Sequence, residues 1–67
     1  MNPEWVKTKI GIHYKEITPM ITLFVEPISE DFFEAYVHRF GSFSPHNDRT
    51  FRGPDALQQA KTYADRI

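Results

Sequence analysis

Ser29-Glu30-Asp31-Phe32-Phe33-Glu34-Ala35-Tyr36-Val37-His38-Arg39-Phe40-Gly41 fits two secondary structures, and each implies a different architecture for the chain. Read as a helix, it has Ser29 as N-cap, Glu30 and Asp31 in the first turn, His38 and Arg39 in the last, and Gly41 as the stop. Phe32, Phe33, Tyr36, Val37 and Phe40 then share one face. Read as a strand, it places Phe33, Ala35 and Val37 on one side and Phe32, Glu34, Tyr36, His38 and Phe40 on the other. Local signals favour the helix, but a helix here leaves only a two-stranded hairpin as the sheet, which is marginal in water. An extended segment gives three strands for a helix to cover, so the strand is preferred. A β-β-α-α fold with residues 29–40 helical is the alternative.

Upstream, Val6, Thr8, Ile10, Ile12 and Tyr14 alternate with Lys7, Lys9, Gly11 and His13, the period of a half-buried strand. The even residues are expected to face the core, and Trp5 continues the odd side. Lys15 to Pro19 interrupts the pattern and reads as a turn or loop, because proline cannot donate to a ladder. Met20 to Glu26 is the second strand, with Ile21, Leu23 and Val25 inward and Thr22, Phe24 and Glu26 outward. Pro27 is read as its end.

Downstream, Gly41 to Asp48 is a turn-rich loop, and Arg49-Thr50-Phe51 suits a short edge pairing. From Gly53 the chain has helix signals, with Pro54 at the first helical position and Asp55 against the positive end of the helix. Leu57, Ala60, Ala64 and Ile67 recur at steps of three and four, widened by Ala56 and Tyr63. An alanine stripe permits close approach to a flat surface, and a sheet is the natural platform. The expected fold is therefore α+β, a three-stranded antiparallel meander (β-β-β-α) with one C-terminal helix across one face. Its core joins Ile10, Ile12, Ile21, Leu23, Val25, Phe33 and Val37 to Leu57, Ala60, Tyr63, Ala64 and Ile67.

Sixty-seven residues suit a single domain over 1–67, near the lower limit for a core without staples. The absence of cysteine removes disulfides and thiolate sites and fits a reducing, cytoplasmic setting. Eight Lys and Arg against nine Asp and Glu give neither the basic excess of a nucleic-acid binder nor an acidic mimic. No secretion signal, anchor or membrane-length apolar run is found.

Candidate chemistry is sparse. His13, His38 and His46, with Asp48, form the only metal-like set and lack ligand spacing, so no metal or cofactor is expected. Glu30, Asp31 and Glu34 read as turn or helix-start acids. Ser29, Ser42 and Ser44 have no paired base, and three scattered glycines make no phosphate cradle, so no enzyme is expected.

What remains is the sheet face away from the helix. Trp5, Lys7, Lys9, Phe24, Tyr36, His38 and Phe40 are the candidate partner-binding residues, aromatics with lysines at the rim. The expected function is a non-enzymatic protein-binding module, an adaptor, regulator or inhibitor, acting through this face or an edge strand, with self-association as a homodimer a further expectation. Single-stranded nucleic acid, stacking on the same rings beside Lys7 and Lys9, is the alternative.

Overall fold

The computed structural model describes residues 4–41 and 46–66, with His46 described in its backbone alone. Five strands form one antiparallel sheet in chain order: β1 (Val6–Lys7), β2 (His13–Thr18), β3 (Ile21–Ser29), β4 (Phe32–Arg39) and β5 (His46–Arg52). A single helix, α1 (Ala56–Asp65), follows and lies across β4, flanked by β3 and β5. The decisive stretch is extended, because Phe32 to Arg39 pairs with β3 on one side and β5 on the other. The helical alternative for residues 29–40 is thereby excluded. The α+β class and the C-terminal helix are as expected; three strands understate the sheet, in which the second and third expected strands correspond to β3 and β4.

The two extra strands come from different causes. The stretch read as one strand from Val6 to Tyr14 is a hairpin. The Thr8 amide donates to the Ile12 carbonyl at 2.8 Å and the Gly11 amide to the Thr8 carbonyl at 3.1 Å, closing a three-residue loop, Lys9-Ile10-Gly11. Gly11 takes φ of 88°, the left-handed position that such loops require and that a side chain there would resist. At the other end, the loop expected before Arg49 gives way to β5, which begins at His46 and takes in the expected edge pairing. The rest of that loop, Ser42 to Pro45, lies outside the described residues.

Lys15 to Thr18 is strand, not loop. Only His13 and Tyr14 of β2 have partners in β1, so the charged half of β2 runs as an edge, where Lys and Glu discourage pairing with other chains. The reversal is the two-residue Pro19-Met20 turn between paired Thr18 and Ile21. Pro27 does not end β3. It pairs with Phe33, two residues past the last β2 partner, where β3 has a neighbour on one side only and a missing donor is tolerated. Glu30 and Asp31 form the next turn, with Asp31 at φ 54°.

The core is the alanine-rich contact foreseen for the helix. Ala56, Ala60 and Ala64 are buried at steps of four. Ala60 meets Val25 and Ala35, and Ala64 meets Leu23 and Val37. Phe33, Phe51, Leu57 and Tyr63 close the margin of the first cluster and Ile21 that of the second. Pro54 and Asp55 form a turn ahead of the helix, which starts at Ala56 and not at Pro54. Ile10, expected in the core, is 76% exposed at the tip of the first hairpin loop, and Ile12 is half-buried. Ile67 lies outside the described residues. No helix among the described residues is long and apolar enough to cross a membrane.

Candidate functional site

Opposite residues of antiparallel strands share a face, so the registers assign the paired strand residues to the helix side or to the open side. Val6 pairs with Tyr14, Tyr14 with Phe24, and Phe24 with Tyr36. These four make a continuous row across β1 to β4 on the open side. Phe24 and Tyr36 stack with ring centroids 5.2 Å apart, while Tyr14 and the edge-on His38 each lie 6.4 Å from Phe24. Each of Tyr14, Phe24 and Tyr36 is half-buried, with strand neighbours at its sides.

Acids flank this row on both sides. Glu16 pairs with Thr22 and Thr22 with His38, which sets Glu16 on one flank, and Glu4 joins it around a shallow depression of about 310 Å³ with Val6 and Tyr14. On the other flank Glu26 pairs with Glu34 and Glu34 with Thr50. The Tyr36 hydroxyl donates to the Glu26 carboxylate. Burial first, and then this bond and the neighbouring Glu26 and Glu34 charges, push the Tyr36 phenol up well beyond its ordinary range. Glu34 also titrates above its ordinary value, through partial burial, the charges of Asp48 and Glu26, and a hydrogen bond shared with Asp48. Among the described strand residues, the charged residue of the opposite sign on this face is Arg52, whose guanidinium lies 4.0 Å over the Phe32 ring.

The expected site is thus partly assembled. Phe24, Tyr36 and His38 share the open face as expected. Phe40 lies past the end of β4 and is 72% exposed, its amide donating to the Met20 carbonyl. Trp5, Lys7 and Lys9 are not on the open face. Trp5 packs against both core clusters on the helix side, with Lys15 and Lys61 at 5.0 and 5.8 Å from its ring. Lys7 pairs with His13 on that same side, and Lys9 is in the hairpin loop.

The physical reason is one inversion. The even and odd residues of the first segment do separate, but the even ones point away from the helix. His13 pairs with Val25 and Lys15 with Leu23, so the odd residues are the ones the helix covers. Lys15 reaches Asp65 of the helix at 2.7 Å, and buried His13 titrates below its ordinary value through desolvation, then the charges of Lys61 and Lys7. His13 and His38 therefore lie on opposite faces of the sheet. Sequence reasoning missed Val6, Tyr14, Glu16 and Asp48 for the open face, although the parity of Val6 and Tyr14 was visible.

The larger concavity, about 450 Å³, lies elsewhere, between β5 and α1, and includes Arg49, Phe51, Tyr63 and Arg66. Its aromatic floor is occupied from within the chain, because Arg49 stacks over Phe51 at 5.3 Å and Tyr63 at 5.5 Å. The Tyr63 hydroxyl is committed as well, donating to the Asn47 carbonyl at 2.9 Å. Among the described residues no three His, Asp or Glu side chains converge as metal ligands. The open face offers stacking surface, carboxylate acceptors and a phenol, the equipment of a recognition surface. No family model, curated protein or solved structure matches this chain.

Proposed function

We propose that this chain is a small non-enzymatic binding module whose open sheet face docks another protein, as an adaptor, regulator or inhibitor. The observation that carries the reading is the stacked row Tyr14–Phe24–Tyr36 on the side of the sheet away from the helix. A sheet this small is ordinarily polar on its outer face, and a contiguous aromatic row there is surface that binding can bury. The helix holds the sheet from the other side, so among the described residues the row lies on the face that the helix leaves open. A cysteine-free chain suits a reducing compartment, and the module is read as cytoplasmic.

The nucleic-acid reading has less support. Lys7 and Lys9 stand off the aromatic row, and the carboxylates of Glu16, Glu26 and Glu34 flank it, where they repel phosphate.

A photo-crosslinking amino acid installed in place of Thr22 on the open face, or of Gln58 on the outer side of the helix, tests the docking face in the native host. Adducts are expected from position 22 and not from position 58, and Tyr36→Asp is expected to suppress them. No adduct from position 22, or equal yields from both, overturns the reading.

A further inference from the structure

The chain's charges nearly cancel, with eight basic and nine acidic residues, yet the pleat separates them. Glu4, Glu16, Glu26, Glu34 and Asp48 are on the open side, against Arg52 alone among the described strand residues of that side. Lys7, Lys15, Arg39 and Arg49 are on the other side of the sheet, where the helix adds Lys61 and also Asp65, the partner of Lys15. Arg39 is placed there by its pairing with core-facing Ile21, and Arg49 by its pairing with buried Ala35.

Resting on the docking reading, we propose that the occupant of the open face is a basic protein segment whose arginine or lysine side chains lie on the Tyr14–Phe24–Tyr36 row between its two acidic flanks. The spacing suits this. Residues two apart on a strand are about 7 Å apart, so a cation centred over the rings has carboxylates within reach on either side. A cation over an aromatic face is attracted by the ring quadrupole, and arginine gains further by pairing with carboxylate at the same time. The sheet already makes the cation–aromatic part of this contact internally, where Arg52 lies over Phe32. Glu34 titrates above its ordinary value first through burial and then through the charges of Asp48 and Glu26, and a cation relieves the second of these.

The same charges disfavour the other occupants. A second copy docked face to face with its strands parallel to the two-fold axis sets Glu26 and Glu34 near the identical acids of its partner, which disfavours that homodimer. Phosphate-bearing partners meet the same repulsion.

The test is a titration of the isotope-labelled full chain with a ten-residue peptide of alternating arginine and serine, at an ionic strength of about 20 mM where surface charges are little screened. A glutamate–serine peptide and a ten-nucleotide single-stranded DNA are the controls. Amide shifts are expected at Tyr14, Phe24, Glu26 and Tyr36 with the arginine peptide alone, with Trp5 on the far side unmoved. The Glu26→Gln/Glu34→Gln chain is expected to bind the peptide about three- to tenfold more weakly, with Trp5 fluorescence reporting that it is folded. No shifts with the arginine peptide, shifts centred on the helix side, equal response to either control, or unchanged affinity in the double variant overturns the proposal. The two readings fail separately. Adducts from position 22 that persist at full yield in the double variant retain the docking face and reject its basic occupant, whereas no adduct from position 22 rejects the face itself.

Discussion

On the helix side of the sheet, Val25 and Ala35 are fully shielded beneath Ala60, while on the open side their sequence neighbours Phe24 and Tyr36 stack on each other at the edge of water. Both pairs belong to β3 and β4, one residue apart, so the backbone that builds the core also displays the row. The helix side uses small side chains, which let α1 approach closely and leave little tolerance for a change in volume. The open side uses large rings that contribute less to folding than their size suggests, because water still reaches them. The sealed core and the aromatic row are thus separated by the parity of a residue along a strand, and charge is sorted by the same rule.

Truncating neighbours on the two faces is expected to have the largest effect. Val25→Ala removes two methyl groups from a sealed site and is expected to cost about 2–3 kcal/mol, a large part of what so small a domain holds. Phe24→Ala, one residue away and larger in volume, is expected to cost about 1 kcal/mol because its ring is half-exposed, while abolishing crosslinking from the open face. Urea unfolding followed by the single tryptophan, which sits on the helix side, measures both. Equal losses for the two variants would erase the distinction between the faces.

A gain in volume makes the complementary test. Ala60→Leu places a branched side chain where the helix meets Val25 and Ala35, and is expected to destabilise by about 1–3 kcal/mol despite leucine's good helix propensity. A stable Ala60→Leu chain would show that the helix does not lie as close to the sheet as the core requires.

The smallest effects are in pH, where the two faces carry opposite signs. His13, on the helix side, titrates below its ordinary 6.5 in the fold, so its contribution is present above pH 6.5 and is lost as pH falls through the lowered folded value. His13→Gln is expected to flatten the stability profile just below pH 6.5. Glu34, on the open side, titrates above its ordinary 4.5, so its contribution is present below pH 4.5 and is lost as pH rises through the raised value. Glu34→Gln is expected to stabilise the chain at pH 7 by under about 0.5 kcal/mol, solvent screening being strong there, and to leave it unchanged near pH 3.5. Thermal melts across pH resolve both signs, and a matching sign for the two residues would contradict the electrostatic difference between the faces.

Several features were legible in the residues alone. The alanine stripe of Ala56, Ala60 and Ala64, the inward set Leu23, Val25, Ala35 and Val37, and the outward set Phe24, Tyr36 and His38 follow from period 3.6 in the helix and period 2 in the strands. The preference for an extended middle segment over strong local helix signals came from counting strands, because a helix needs a wide enough sheet to lie on. Composition likewise bounded the chain to a small fold without thiol chemistry.

Tertiary structure alone decided which side of the first hairpin the helix covers, and with it the character of the open face. Alternation separates Val6 and Tyr14 from Trp5, His13 and Lys15 but says nothing about direction, and hydrophobicity pointed the wrong way because Trp5 and the Lys15 stem are the ones that pack beneath α1. The register of β2 against β3, a long-range pairing closed by the Pro19-Met20 turn, fixes that choice. A one-residue slip would exchange the two faces, so the sorting of charge by the sheet is a property of how strands meet and not of any strand read by itself.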